Sequence, residues 1–178
     1  MYPQGLPTAG QITDPEGRLP GWQHAPSAEG ERDLKFVDVM LAWARKERRV
    51  DPARVFAAGH SNGGSMVYVL WAARAREFTA FAPSSSVFRP DMIANATPKP
   101  AFIVTGRQDL LVPFRTQQLS LSRVLKLNQA ATTDQAWEGT ARLHSSKEST
   151  DVVTYIHPGG HQLPGDAGAL MVKFFRQR

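Results

Sequence analysis

Apolar residues are distributed along this chain in two alternating rhythms. Short continuous runs recur at Arg54-Val55-Phe56-Ala57-Ala58, Glu77-Phe78-Thr79-Ala80-Phe81-Ala82-Pro83, Ala101-Phe102-Ile103-Val104-Thr105 and Asp151-Val152-Val153-Thr154-Tyr155-Ile156. Runs of this kind predict strands buried on both faces, as in a parallel sheet. Between them the spacing changes. Leu34, Val37, Leu41 and Ala44 repeat at helical intervals and predict a helix over Asp33–Lys46, with Asp33 as its N-cap. Further helices are expected from Gly64 through Ala75 and from Phe114 to Asn128. Strands alternating with helices place the chain in the α/β class. Two stretches carry neither rhythm. Residues 2–30 are loop material rich in Pro and Gly, and 129–149 is a polar stretch containing Trp137, read as an excursion that shapes a substrate mouth.

One junction between strand and helix carries chemistry. Gly59-His60-Ser61-Asn62-Gly63 is a Gly-x-Ser-x-Gly pentapeptide placed where the second predicted helix begins. A serine at such a corner is forced into a strained backbone that lifts its hydroxyl clear, and the flanking glycines are expected to relieve collisions with strand and helix. The helix start puts a dipole and the N–H of Asn62 beside any negative charge that forms there. Taken alone, the pentapeptide also fits an ordinary Gly/Ser turn.

A serine nucleophile on a parallel sheet needs a carboxylate and then a histidine downstream, each after a strand. The run Ala101–Thr105 breaks at Gly106, and Asp109 follows in a loop closed by Val112-Pro113. A loop Asp is also a common turn former, and Asp166 is the rival acid. The last strand ends in His157-Pro158-Gly159-Gly160-His161, where the glycine pair lets the His161 imidazole return over the sheet. The candidate set is Ser61, Asp109 and His161, with Asn62 as oxyanion donor. His60, Trp22, Ser84 and Leu163 are candidates for substrate contact. In Ser84-Ser85-Ser86 a pocket border and a polar turn are equally compatible with the sequence. Trp71, Val67 and Leu70 are expected in the core.

Composition narrows the alternatives. The 21 Lys plus Arg against 16 Asp plus Glu give a net charge of +5. The basic clusters at Arg45–Arg49 and Arg74–Arg76 fall at predicted helix C-termini, where cations favour the dipole. They are not interleaved with aromatics, so nucleic acid is not an expected partner. The absence of cysteine excludes disulfides, thiolate zinc sites and a cysteine nucleophile. His157 and His161 are four apart, but Pro158-Gly159-Gly160 forbids a helix between them, and no metal or other cofactor is expected. No apolar segment is long enough to span a membrane, and Met1-Tyr2-Pro3 does not open a signal peptide.

Five segments together resemble one family: Tyr2-Pro3-Gln4-Gly5, Val50-Asp51-Pro52-Ala53-Arg54-Val55, Gly59-His60-Ser61-Asn62-Gly63-Gly64, Gly106-Arg107-Gln108-Asp109-Leu110-Leu111-Val112-Pro113 and Gly159-Gly160-His161-Gln162-Leu163-Pro164-Gly165. The chain is similar to the polyhydroxybutyrate depolymerase and feruloyl esterase-like branch of the α/β-hydrolases. The resemblance implies a single α/β-hydrolase domain over 1–178, a parallel three-layer αβα sheet, and a serine esterase acting on small or polymeric esters. It maps the nucleophile to Ser61, the acid to Asp109 and the base to His161. Leu163 stands where the family often has a tryptophan. Relatives are often exported, which implies a secreted or periplasmic protein if a signal-bearing N-terminus has been lost, and a cytoplasmic one otherwise.

The family fold spends about four strands before its nucleophile, whereas 60 residues precede Ser61 here. The expectation is an N-terminally truncated sheet lacking the loop that donates the second oxyanion N–H, with the nucleophile strand on an unprotected edge. A second chain completing that sheet is an expected partner. The alternative function is a catalytically impaired hydrolase fragment serving as an interaction or structural module.

Overall fold

The computed structural model describes residues 1–178. Its strands are β1 (Leu6–Pro7), β2 (Pro20–Gly21), β3 (Phe56–His60), β4 (Ala80–Ser84), β5 (Ala101–Gly106), β6 (Gln135–Glu138), β7 (Ala141–His144) and β8 (Val152–His157). Its helices are α1 (Arg32–Glu47), α2 (Asn62–Arg74), α3 (Pro90–Ile93), α4 (Phe114–Leu127) and α5 (Ala167–Arg176). The main sheet has the order β3-β4-β5-β8-β7-β6. Strands β3, β4, β5 and β8 are parallel, while β7 and β6 add an antiparallel hairpin.

That hairpin corrects the reading of 129–149 as an excursion at the substrate mouth. It widens the sheet on the edge opposite β3. Trp137 packs edge-on against Phe102 and Phe174, away from the serine elbow. The four-residue strands are too short, and too exposed on one face, to produce an apolar run.

Alternation along the strands divides the core into two layers. Phe81, Ala101, Ile103 and Val152 face one side, where Leu34, Val37 and Leu41 of α1, most of α2, and Val124 and Leu125 of α4 cover them. Ala80, Ala82, Phe102, Val104 and Val153 face the other side, under Ala167, Met171 and Phe174 of α5. Helix α2 is apolar nearly all round and correspondingly buried. Trp71 stacks on Phe81 at 5.0 Å and donates its indole N–H to the Thr97 carbonyl at 2.8 Å.

Asp33 is not the N-cap of α1. The helix begins at Arg32, and the cap comes from the buried Gln23, whose Oε1 accepts the N–H groups of Asp33 (3.0 Å) and Leu34 (3.2 Å). Asp33 returns the bond, its Oδ2 accepting from the Gln23 N–H at 2.6 Å. Two orphan donors of the helix start are thus satisfied by a residue of the preceding loop. This exchange anchors the N-terminal loop to the body of the molecule.

Strand β3 lies at the sheet edge and pairs with β4 alone, as expected. Its first residue, Phe56, stacks on Phe175 of α5 at 4.6 Å. The register His60↔Ser84, Ser84↔Val104, Gly106↔His157 brings the carboxyl ends of four parallel strands level. In open α/β sheets that end is where ligands bind.

Candidate active site

At the end of β3, Ser61 has φ +56° and ψ −120°, a conformation that L-residues rarely adopt. Two backbone bonds hold it there. Its N–H donates to the Ser84 carbonyl at 2.9 Å, and its own carbonyl accepts the Ser65 N–H at 2.9 Å. The tightness of the turn falls on two glycines, only one of which flanks the serine as expected. A Cβ on Gly59 would lie 2.3 Å from the Gly63 carbonyl oxygen, and one on Gly64 would lie 2.6 Å from the Ser84 oxygen. A Cβ on Gly63 meets nothing within 4 Å. The second glycine that the elbow needs is therefore Gly64.

Asp109 is buried in the loop after β5. Its Oδ1 accepts the N–H groups of Leu111 (3.0 Å) and Val112 (2.8 Å), and its Oδ2 accepts from Gln117 Nε2 (3.0 Å) and His161 Nδ1 (2.9 Å). Burial alone pushes this carboxyl up, but the Val112 and Leu111 N–H groups and His161 outweigh it and hold the pKa below the usual value. The loop itself is laced to the one that carries His161, since Arg107 N–H donates to the His157 carbonyl and Gln108 N–H to that of Gly159. Gly106 permits this approach, because a Cβ there would lie 2.3 Å from the Gly160 oxygen.

His161 completes the line, its Nε2 standing 2.7 Å from Ser61 Oγ. With Nδ1 facing a carboxylate, the fitting tautomer has Nδ1–H donating to Asp109 and Nε2 accepting from the serine hydroxyl. Asp166, the rival acid, instead accepts the Tyr155 hydroxyl at 2.9 Å at the start of α5. His157 is a buried strand-end residue, its Nδ1 accepting the Gly159 N–H at 3.2 Å.

Asn62 opens α2, so its N–H has no carbonyl one turn earlier within the helix. Its side chain faces the N-terminal loop: Oδ1 accepts the Trp22 N–H at 2.7 Å and Nδ2 donates to the Trp22 carbonyl at 3.1 Å. A cavity of about 390 Å³ adjoins Ser61 and His161. Gln11, Ile12 and His24 of the N-terminal loop form one wall, and Ser85, Ser86, Val87 and Met92 form another. Leu111, Val112 and Thr116 close it from the acid loop and α4.

The four candidates for substrate contact are distributed differently from expectation. Leu163 is exposed and does not line the cavity beside Ser61, because the loop after His161 turns it to solvent. Ser84 is buried behind the elbow, its hydroxyl 3.1 Å from His60 Nδ1, and does not line that cavity either. His60 lies beside His161 with ring centroids 5.1 Å apart. Burial, and then the neighbouring His161, lower its pKa. His60 and Trp22 border a shallow depression on the other flank of the elbow, with Gln4 and Gly5.

Sequence reasoning missed Gln117 and the Gln11–Thr13 wall. Gln117 had a signal: Gln117 and Ser120 sit on the same face of α4 as the buried Val124, where a core helix would carry apolar side chains. The wall had none, because no periodicity marks a loop.

Comparison with known proteins agrees with this architecture. A model of the prolyl oligopeptidase family matches residues 27–97. A probable feruloyl esterase C of Aspergillus flavus is 30% identical over 169 residues, covering 88% of this chain and 60% of that protein. A second, from Aspergillus oryzae, is 31% identical over 114 residues, covering 62% of this chain and 41% of the relative. The chain thus spans about three fifths or less of the length of these relatives. Among solved structures, Arabidopsis thaliana SOBER1 superposes with a TM-score of 0.67 at 15% identity, covering 99% of this chain and 82% of that one. The acetyl xylan esterase of Aspergillus awamori gives 0.67 at 16% identity, covering 90% and 74%. With a parallel sheet that carries a strained serine at one strand end and this breadth of structural likeness, the chain has the α/β-hydrolase fold.

Proposed function

We propose that this chain carries the catalytic machinery of a serine carboxylic-ester hydrolase, with Ser61 as nucleophile, His161 as general base and acid, and Asp109 as its orienting carboxylate. The observation that carries the proposal is the unbroken hydrogen-bond line from Ser61 Oγ through His161 to Asp109, at 2.7 and 2.9 Å. In this mechanism His161 Nε2 takes the Ser61 proton as Oγ attacks the ester carbonyl carbon, forming a tetrahedral oxyanion. The Asn62 N–H and the start of α2 stabilise that charge. Collapse breaks the bond to the alkoxy oxygen, which leaves with the proton from His161. Water, deprotonated by His161, then attacks the acyl-Ser61 carbonyl, and the same steps in reverse release the acid and regenerate the hydroxyl. Asp109 stays ionised throughout and stabilises the imidazolium.

The named relatives favour a feruloyl or similar hydroxycinnamoyl ester over a polyhydroxyalkanoate. A fluorophosphonate probe is expected to label Ser61, with labelling lost in Ser61→Ala. Hydrolysis of methyl ferulate is expected to disappear in the same variant. Equal labelling of the variant would overturn the nucleophile, and turnover of 3-hydroxybutyrate oligomers without methyl ferulate would overturn the acyl preference.

One observation favours a second reading, in which another polypeptide strand lies against β3. The edge of that strand has no ladder partner, and no charged or proline residue within Phe56–His60 guards it. Sedimentation velocity tests this. A self-association abolished by Ala58→Pro supports it, and a monomer at all concentrations excludes a second copy.

A further inference from the structure

The four donors to the Asp109 carboxylate differ in kind. The Leu111 and Val112 N–H groups lie two and three residues away in the same loop, so they fix the carboxylate only relative to that loop. His161 is the group whose charge changes during the proposed reaction. Gln117 Nε2, 3.0 Å from Oδ2, is the one donor mounted on a helix and unable to titrate. Helix α4 is itself held in place, since Ser120 Oγ, one turn further on, accepts the Phe88 N–H at 2.7 Å.

The orientation of the Gln117 amide is fixed by its neighbours. Nε2 also donates to the Val112 carbonyl at 2.6 Å, so a flipped amide would set its own oxygen against two acceptors. The residue is 1% exposed, and its Oε1 is buried with no partner. An unpaired buried oxygen costs stability, and for packing alone a methionine of similar length would avoid that cost. What the amide adds at this position is its pair of N–H bonds. From these contacts we infer that Gln117 is a positioning residue for the proposed triad. It holds Asp109 Oδ2 facing His161 Nδ1 and locks the acid loop at Val112. Two backbone donors anchor Oδ1 in either case, so removing the amide frees Oδ2 to swing off the imidazole. The inference rests on the hydrolase reading for the roles of His161 and Asp109, but the contact between them can be read without turnover.

Gln117→Met tests this, because it keeps the length of the side chain and removes both N–H groups. Hydrolysis of 4-nitrophenyl acetate is measured with rates expressed per site titrated by a fluorophosphonate. The variant is expected to lose about tenfold in kcat per titrated site, the usual effect of one hydrogen bond to a charged group, with KM unchanged. A merely structural role would lower Tm and the number of titratable sites but leave kcat per site intact, and that result overturns the assignment. A raised KM with kcat intact places the effect in the cavity wall, through Val112, and overturns it as well. Proton NMR of Ser61→Ala reads the same contact without turnover. The His161 Nδ1 proton shared with Asp109 is expected as a downfield resonance, lost to exchange with water when Gln117→Met is added. Loss of that resonance in a chain that cleaves no ester sustains the positioning role and overturns the hydrolase. Ester cleavage with kcat and the resonance both unmoved does the reverse. If Gln117→Met does not fold, the wild-type protein decides: the Gln117 side-chain amide protons are expected to exchange with deuterium far more slowly than those of the exposed Gln118. Equal exchange of the two amides overturns the inference.

Discussion

Replacing Gly64 by alanine is expected to damage the protein, while the same change at Gly63, the glycine that completes the sequence motif, is expected to be harmless or beneficial. At Gly64 the new methyl would lie 2.5 Å from Ser86 Oγ and 2.6 Å from the Ser84 carbonyl oxygen. The serine hydroxyl can rotate aside. The carbonyl cannot, because it is a strand-end backbone group that already accepts the Ser61 N–H at 2.9 Å. Relieving the overlap means moving α2 away from β4, an overpacking that costs ~1–3 kcal/mol. The helix propensity gained by alanine over glycine, ~1 kcal/mol, offsets part of this. The net loss, up to ~2 kcal/mol, lowers Tm by up to roughly 8 °C in a domain of this size. At Gly63 the methyl enters open space, so only the propensity gain remains, up to ~1 kcal/mol. Thermal unfolding of the two variants followed by circular dichroism decides the matter. A Tm for Gly64→Ala equal to or above that of Gly63→Ala would refute the assignment of the tight contact. Fluorophosphonate labelling of Ser61 is expected to slow in Gly64→Ala, because the displaced helix carries the elbow with it.

Asp109→Asn retains an acceptor for the Leu111 and Val112 N–H groups but turns an amide NH₂ toward His161 Nδ1–H, forcing the other tautomer. Ester turnover is expected to fall ~10⁴-fold with little change in Tm, whereas Asp166→Asn is expected to leave turnover within about threefold. Gln23→Ala strands the Asp33 and Leu34 N–H groups at the start of α1, and chemical denaturation is expected to show a loss of ~2–3 kcal/mol. Burial holds His60 and His157 below the usual 6.5, so both prefer the neutral form in the folded protein. The unfolded chain then binds protons first, and the stability they contribute is complete above that value and lost as pH falls below it. A Tm profile from neutral to mildly acidic pH is expected to fall, and His157→Gln is expected to flatten it.

The parallel part of the sheet was legible because strands buried on both faces have to be apolar throughout: Ala101–Gly106 and Val152–His157 announce themselves. The catalytic candidates were legible because their loops are short and tied to those strands. Each needs only a few residues between a strand end and its side chain, so sequence order transmits spatial order. What was not legible depends on contacts distant in sequence. Gln23 caps a helix from ten residues upstream, and the polar 135–144 hairpin gains its place from a neighbouring strand rather than from its own pattern. Gly63 and Gly64 cannot be told apart by motif, since the difference lies in which one faces the Ser84 carbonyl. Leu163 and Ser84 lie outside the lining of the cavity beside Ser61 for the same reason: adjacency to a candidate catalytic segment does not fix the direction of a side chain.

Asn62 gives one residue two allegiances. Its backbone amide opens α2 directly after Ser61, and its side chain clasps Trp22 of the N-terminal loop through a donor and an acceptor. The loop cannot swing outward to admit a bulkier substrate without breaking both bonds, and each break loosens the amide proposed to steady the oxyanion. Capacity and speed are therefore opposed at a single asparagine. In the proposed hydrolase, a substrate that pries the wall open slows its own hydrolysis, and fit is selected by a mechanical linkage rather than by a separate recognition element.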